Sequence, residues 1–212
     1  GHKNEEAAAR HHLGSLLGLV GEYAEAIKEF ERALALFTEL GDRRGICAAI
    51  GSMGSVYDSR GEYDRGIECF ERQLRIAEEL GDRYEISHAI GGMAMVFSGR
   101  GENDRAIECY ERQLRICEEL GNRDGASIVI GNIGVIYANL GEYDRAIECY
   151  ERFLRISEEM GFRRGAGIAN GNMGRLHHSR GEYEQALECF HRAADVHRAI
   201  GFRYGLTYWL EG

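Results

Sequence analysis

The feature that most constrains this chain is a strict internal repeat that runs without insertion. Gly21-Glu22-Tyr23 returns as Gly61-Glu62-Tyr63, Gly101-Glu102-Asn103, Gly141-Glu142-Tyr143 and Gly181-Glu182-Tyr183. A second marker keeps the same period: Gly41-Asp42-Arg43, Gly81-Asp82-Arg83, Gly121-Asn122-Arg123, Gly161-Phe162-Arg163 and Gly201-Phe202-Arg203. Self-similarity of this kind signals stacked units that contact their neighbours, not one globular core. The second marker falls midway between successive copies of the first, so each unit is two segments of helical length joined by glycine turns. The pattern predicts one array with repeats at 5–40, 41–80, 81–120, 121–160 and 161–200, and a partial sixth at 201–212.

Both segments read as helices. Within 63–80, the apolar positions Ile67, Phe70, Leu74 and Ala77 recur at steps of three and four. The opposite face is charged, and Glu71–Arg75, Glu111–Arg115 and Glu151–Arg155 are i,i+4 pairs in the favourable orientation. Gly81, Gly121 and Gly161 sit where a helix ends on a left-handed residue. Asp42, Asp82 and Asn122 follow as N-caps of the next helix. Phe162 and Phe202 have no oxygen to offer, so those two starts are expected to be looser or capped differently.

Glycine numbers 29 and proline is absent. Part of the excess lies inside the first helix of each unit, in Gly51-Ser-Met-Gly54, Gly91-Gly-Met-Ala94, Gly131-Asn-Ile-Gly134 and Gly171-Asn-Met-Gly174. A helical glycine costs about 1 kcal/mol against alanine. Its recurrence implies the close approach of another backbone, with residues 54, 94, 134 and 174 at the contact between the two helices of a unit. Gly-x-x-Gly also occurs in nucleic-acid clamp loops, but here it lies within an amphipathic helix of an acidic chain.

The net charge of −9 argues against a general nucleic-acid or anionic-membrane binder. No apolar run approaches the roughly 18 residues of a membrane span. Of six cysteines, Cys69, Cys109, Cys149 and Cys189 recur once per unit at the same register position. Equivalent positions in stacked units are too far apart for a disulfide, so buried free thiols in a reducing, cytoplasmic setting are expected. No signal peptide is visible. The chain does not begin with Met and starts and stops inside its pattern, which reads as an excised segment.

These residues resemble the tetratricopeptide repeat. Its consensus pairs a Leu-Gly and a Tyr on helix A with a Tyr, Ala, Phe and Ala on helix B. The first unit supplies Leu13-Gly14, Leu17, Tyr23, Ala26, Phe30 and Ala33, and the second Met53-Gly54, Tyr57, Tyr63, Gly66, Phe70 and Gln73. The fourth supplies Ile133-Gly134, Tyr137, Tyr143, Ala146 and Tyr150, and the fifth Met173-Gly174, His177, Tyr183, Ala186, Phe190 and Ala193. The 40-residue period and the missing proline depart from the ordinary 34-residue form. They are similar to the longer repeats of Pins/LGN, rapsyn and, approximately, kinesin light chain. The resemblance implies an all-α, right-handed α-solenoid of stacked antiparallel helix pairs. It implies a non-catalytic scaffold that binds a peptide or protein partner in a concave groove lined by helix A.

The groove positions implied by the resemblance fall on His11, His12 and Ser15, then on Ser52, Ser55, Asp58 and Ser59. They continue on His88, Gly92, Met95 and Ser98, on Asn132, Val135 and Asn139, and on Asn172, Arg175, His178 and Ser179. The lining is small and polar. Asn132 and Asn172 share one phase, and an Asn amide both donates to and accepts from an extended backbone. Alternatively, these residues are merely solvated or help helix A pack on helix A. Arg175 is the one strong cation, suited to an acidic ligand group, and the clustered Lys and Arg of carboxylate-clamping relatives are missing.

Other constellations read as structure. Arg43, Arg83, Arg123, Arg163 and Arg203 each follow a turn and are expected to pair with the Glu-Glu ending the preceding helix, such as Glu78-Glu79. His11-His12 and His177-His178 are adjacent, not i,i+4, so no metal or cofactor is expected. No Ser or Cys shows a catalytic setting. A competing reading is an assembly module: the apolar Leu206–Leu210 and the bare first helix suggest uncapped ends suited to end-to-end self-association.

Overall fold

The computed structural model describes residues 2–199. The expected sixth-repeat stub, with Arg203 and Leu206–Leu210, lies outside the described residues. Among the described residues there are ten α-helices and no strand: α1 His2–Leu19, α2 Tyr23–Leu40, α3 Arg43–Ser59, α4 Tyr63–Leu80, α5 Arg83–Gly99, α6 Asn103–Glu119, α7 Arg123–Asn139, α8 Tyr143–Glu159, α9 Arg163–Ser179 and α10 Tyr183–Ala199. Odd-numbered helices are the A helices and even-numbered the B helices. The described residues form two compact units, divided between Ile116 and Cys117. In unit 1, α1 packs on α2 and α3 on α4, α2 and α4 pack on the next A helix, and the A helices α1, α3 and α5 lie side by side. In unit 2, α7 packs on α8, α8 on α9 and α9 on α10.

The turns follow from backbone chemistry. At the end of α2, Gly41 takes φ +67°, its N–H bonds Thr38 O, and the next N–H, of Asp42, bonds Phe37 O. This closure satisfies the last carbonyls of the helix and needs a residue that tolerates positive φ. Asp42 then turns its side chain forward to accept the N–H of Gly45 (3.0 Å). Asp82 accepts from Glu85 (3.3 Å) and Asn122 from Gly125 (3.0 Å), as expected of N-caps. Phe162 makes no such bond. Its ring lies over Gly165 instead, where an added Cβ would fall 2.4 Å from Phe162 Cδ1. An apolar lid therefore replaces the polar cap.

The helical glycines do mark where A meets B; a backbone comes close at Gly66, which lies against the Gly54 carbonyl, Gly51 and Gly91 face the amides of Gln73 and Gln113, and at four positions the nearest group is a ring. Phe30 fills the notch at Gly14, Phe70 that at Gly54, Tyr150 that at Gly134 and Phe190 that at Gly174. Phe30, Phe70 and Tyr150 are almost fully buried. In unit 1, Phe70 also abuts Gly92 of α5, so one ring ties a helix pair to the next A helix. Tyr57 and Tyr137 stack under Arg65 and Arg145, each guanidinium carbon 3.9 Å from the ring centroid.

Two further expectations change in detail. Arg43 pairs with Glu79 and Arg123 with Glu159, each at the end of the following B helix rather than the preceding one. The bridge thus ties the start of helix A to the end of helix B within one repeat. The six cysteines are free, but only Cys47 and Cys117 are buried; Cys69, Cys109, Cys149 and Cys189 are half-buried. Burial pushes the Cys47 thiol up to about 12, reinforced by the neighbouring Glu85 carboxylate.

Candidate interaction surface

In unit 1 the A helices enclose a groove of about 340 Å³. Among the expected residues, Ser52, Ser55 and His88 line it, together with Ser15 and Ser59. His12 and Met95 are exposed elsewhere on their helices and do not line it. The apolar wall is formed by Leu19, Val56 and Phe30. Gly18 makes the space: the same position holds Asp58, Ser98, Ala138 and His178 in the later units. That glycine is the signal available in the sequence, hidden among the others of a chain with 29.

The hydroxyls share one arrangement. Ser15 Oγ donates to His11 O (3.1 Å), Ser55 Oγ to Gly51 O (3.3 Å) and Ser59 Oγ to Ser55 O (3.0 Å). With its proton committed to the carbonyl one turn back, each oxygen faces outward as an acceptor. Ser52 Oγ meets His11 Nε2 at 3.1 Å, and the His11 ring packs on Phe30 with centroids 5.3 Å apart. Burial holds His11 below the usual histidine range.

A polar row that the sequence does not reveal adjoins this groove. The Gln73 side-chain N–H₂ donates to Glu85 Oε2 (2.9 Å) and meets His88 Nδ1 at 3.2 Å. That donor makes Nδ1 an acceptor, so the proton of a neutral His88 sits on Nε2. Gln73 is 1% exposed, and its Oε1 has no hydrogen-bond partner. Cys47 Sγ contacts Gln73 O at 3.6 Å.

In unit 2, Asn132 and Asn172 are half-buried at one register position of α7 and α9. Arg175 Nη2 donates to Asn172 Oδ1 (3.1 Å), so the Asn172 carbonyl is engaged and its N–H₂ is the group left to donate. Val135, Asn139 and His178 line the same helix side; Val135 is exposed, and the His178 ring lies edge-on to Tyr183 at 5.5 Å. His177 Nδ1 meets Glu182 Oε2 at 2.6 Å, which gives it a structural partner. Among the described residues, no group of three or more His, Cys, Asp and Glu side chains is placed to hold a metal ion. No described helix is long and apolar enough to cross a membrane.

Helix pairs repeating in strict register, with rings notched into glycines and polar side chains along the A helices, define an all-α repeat protein. The chain belongs to the tetratricopeptide-repeat family: the family pattern matches residues 5–79, 46–119 and 84–159, and a second tetratricopeptide-repeat pattern matches 171–200. No curated protein matches it in sequence. Among solved structures it is similar to BtubC (BKLC) from P. vanneervenii, with 22% identity and a TM-score of 0.82 over 94% of this chain and 82% of that one. The putative kinesin light chain repeats of Podosopora anserina give 14% identity and a TM-score of 0.76 over 95% and 98%. A Rap protein complexed with Competence and Sporulation Factor gives 16% identity and a TM-score of 0.81; the match covers 96% of this chain and 57% of that one. At these identities the likeness concerns the fold.

Proposed function

We propose that this chain is a non-catalytic scaffold that holds an extended peptide or a partner segment along its A helices. Ser52, Ser55 and His88 would contact it in unit 1, and Asn132, Asn172 and Arg175 in unit 2. The observation that carries the reading is the unit 1 groove of about 340 Å³, where polar groups with spare bonding capacity stand beside an apolar wall. The family is generally non-catalytic, and the similar Rap protein is complexed with a factor. Free thiols fit a reducing compartment such as the cytoplasm. The test is a cross-linked capture from native lysate that compares the wild-type chain with Asn132→Ala/Asn172→Ala/Arg175→Glu, with circular dichroism as the folding control. A partner held by the wild type and lost by the variant supports the reading. A partner held equally by both counts against it.

One observation favours a second reading, assembly through an end. On α1, Leu13 and Leu16 are 46% and 61% exposed, and Val20 just beyond it is 71% exposed. One repeat on, Val56 takes the place of Leu16 and is 7% exposed. A second copy or another domain seated on α1 would cover this face. Sedimentation over a concentration series separates the readings, since self-association that Leu16→Lys abolishes belongs to the second alone.

A further inference from the structure

The A helices of unit 2 are cationic in a chain that is acidic overall. Together α7 and α9 carry Arg123, Arg163, Arg164 and Arg175 against one acid, Asp124 in the first turn of α7. The whole chain has a net charge of −9. Arg123, at the start of α7, pairs with Glu159. Arg175 is placed differently. It is exposed in the later half of α9, three residues after Asn172, and its Nη2 donates to a neutral acceptor, Asn172 Oδ1, at 3.1 Å. A guanidinium has five N–H donors, more than one carbonyl takes up. The repeat does not require a cation here, because the same position holds Ser15, Ser55, Met95 and Val135 in the other units.

A second donor is directed to the same place. The Tyr150 ring fills the Gly134 notch from α8, which also packs on α9, and it is 1% exposed. Phe30, Phe70 and Phe190 fill the equivalent notches without a hydroxyl, so packing does not call for one. In unit 1 the far edge of the Phe70 ring abuts Gly92, and two repeats on that position is Asn172. As this register requires, the Arg175 charge acts on the Tyr150 hydroxyl; burial outweighs it and pushes the phenol up to about 12. The hydroxyl therefore keeps its proton at neutral pH and can donate it. Asn172, its carbonyl engaged by Arg175, presents its N–H₂.

We infer that Tyr150, Asn172 and Arg175 form a subsite for the carboxylate of an Asp or Glu side chain in the bound segment, with Arg175 as its ion-pair partner and the Asn172 amide and Tyr150 hydroxyl as further donors. Charge-assisted hydrogen bonds of this kind are shorter and stronger than those between neutral groups, so the acid anchors the segment. This inference rests on the groove reading above. That reading lays a continuous segment along the A helices, which makes the carboxylate a side chain's and not a chain terminus.

The test selects random 12-residue peptides, displayed on phage, on the full chain. Fusion through their C-termini leaves side chains as the only carboxylates. The strongest binder is then made as a fluorescein-labelled, C-terminally amidated peptide, and fluorescence anisotropy compares it with versions in which each acid is replaced by its amide. Selection is expected to enrich an Asp or Glu, and its replacement by Asn or Gln to weaken binding about tenfold at low salt and less as salt rises. Arg175→Val, which installs the residue found at 135, should erase that difference. Tyr150→Phe, which installs the residue found at 70, should shrink it. Selected peptides without an acid, or an acid-to-amide loss that either variant leaves at full size, would overturn the inference. Val135→Trp, a bulky side chain at an exposed position of α7, separates the two levels. If it blocks binding while the acid preference is absent or indifferent to Arg175, the groove reading stands and the carboxylate subsite fails. If no peptide is selected, or Val135→Trp changes nothing, both fail.

Discussion

The packing account predicts opposite signs for two chemically identical substitutions, Gly92→Ala and Gly131→Ala. Both glycines lie inside A helices, and neither has positive φ. Alanine should therefore gain about 0.5–1 kcal/mol at each from the backbone alone. At Gly131 the new methyl would meet Phe153 Cδ1 at 3.5 Å, an ordinary contact, so the gain survives. At Gly92 it would fall 2.3 Å and 2.5 Å from Phe70 Cε1 and Cζ. Phe70 is 2% exposed and wedged against Gly54, so its ring has nowhere to go. Overpacking of this kind costs typically about 1–3 kcal/mol, and two such clashes take the upper end. Gly92→Ala should then destabilise its surroundings by about 2 kcal/mol net. Native-state hydrogen exchange is the right assay, because it reads α5 and α7 separately and does not assume one cooperative transition. Protection should fall in α5 of the first variant and rise slightly in α7 of the second. Adding Phe70→Leu to Gly92→Ala should return part of the loss. Equal signs for the two alanines, or no relief in the double variant, would refute the ring-in-notch account.

Other expectations follow from the same structure. Because Cys47 is raised to about 12 by burial and Glu85, only about one part in ten thousand is thiolate at pH 8. Alkylation followed by mass spectrometry should find Cys47 unmodified in the native chain and modified once it is unfolded. Asn122→Ala removes the acceptor of the Gly125 N–H and should cost about 1 kcal/mol, read as a lower urea midpoint. His11 is held below its ordinary value of 6.5, so the unfolded chain binds its proton more readily than the folded one. Its contribution is neutral above that pH and becomes destabilising as pH falls through 6.5 towards the folded pKa; His11→Gln should flatten that part of the stability profile. The Arg43–Glu79 bridge is exposed at both partners and should show a double-mutant coupling under about 1 kcal/mol that fades with salt.

Much of this architecture is legible in the sequence because it depends on local chemistry. Gly41, Gly81 and Gly121 announce positive φ, and Asp42, Asp82 and Asn122 announce caps, from the few residues around them. What depends on how helices pack and side chains pair is not legible in that way. Arg43 follows Glu39 in the chain, yet its partner is Glu79 at the far end of α4, which only the antiparallel pairing of α3 with α4 brings near. The helical glycines read as backbone contacts because composition does not say whether a ring or a main chain fills a notch. Asn172 reads as able to bind both edges of a peptide, but Arg175, three residues on, occupies its carbonyl. The acceptor character of the groove turns on where three serine protons point, and a serine in a sequence offers both roles.

The central claim is that the A-helix side carries the interaction. It is tested most directly by photo-crosslinking from defined positions, with benzoylphenylalanine placed singly at Ser55 and Val135 on A helices, at Glu71 and Glu151 on the outer faces of B helices, and at Leu16 on α1. Irradiation in native lysate should give partner adducts from 55 and 135 and none from 71, 151 or 16. Adducts confined to 71 and 151, or to position 16, would contradict the account and move the interaction to the B helices or to the α1 face.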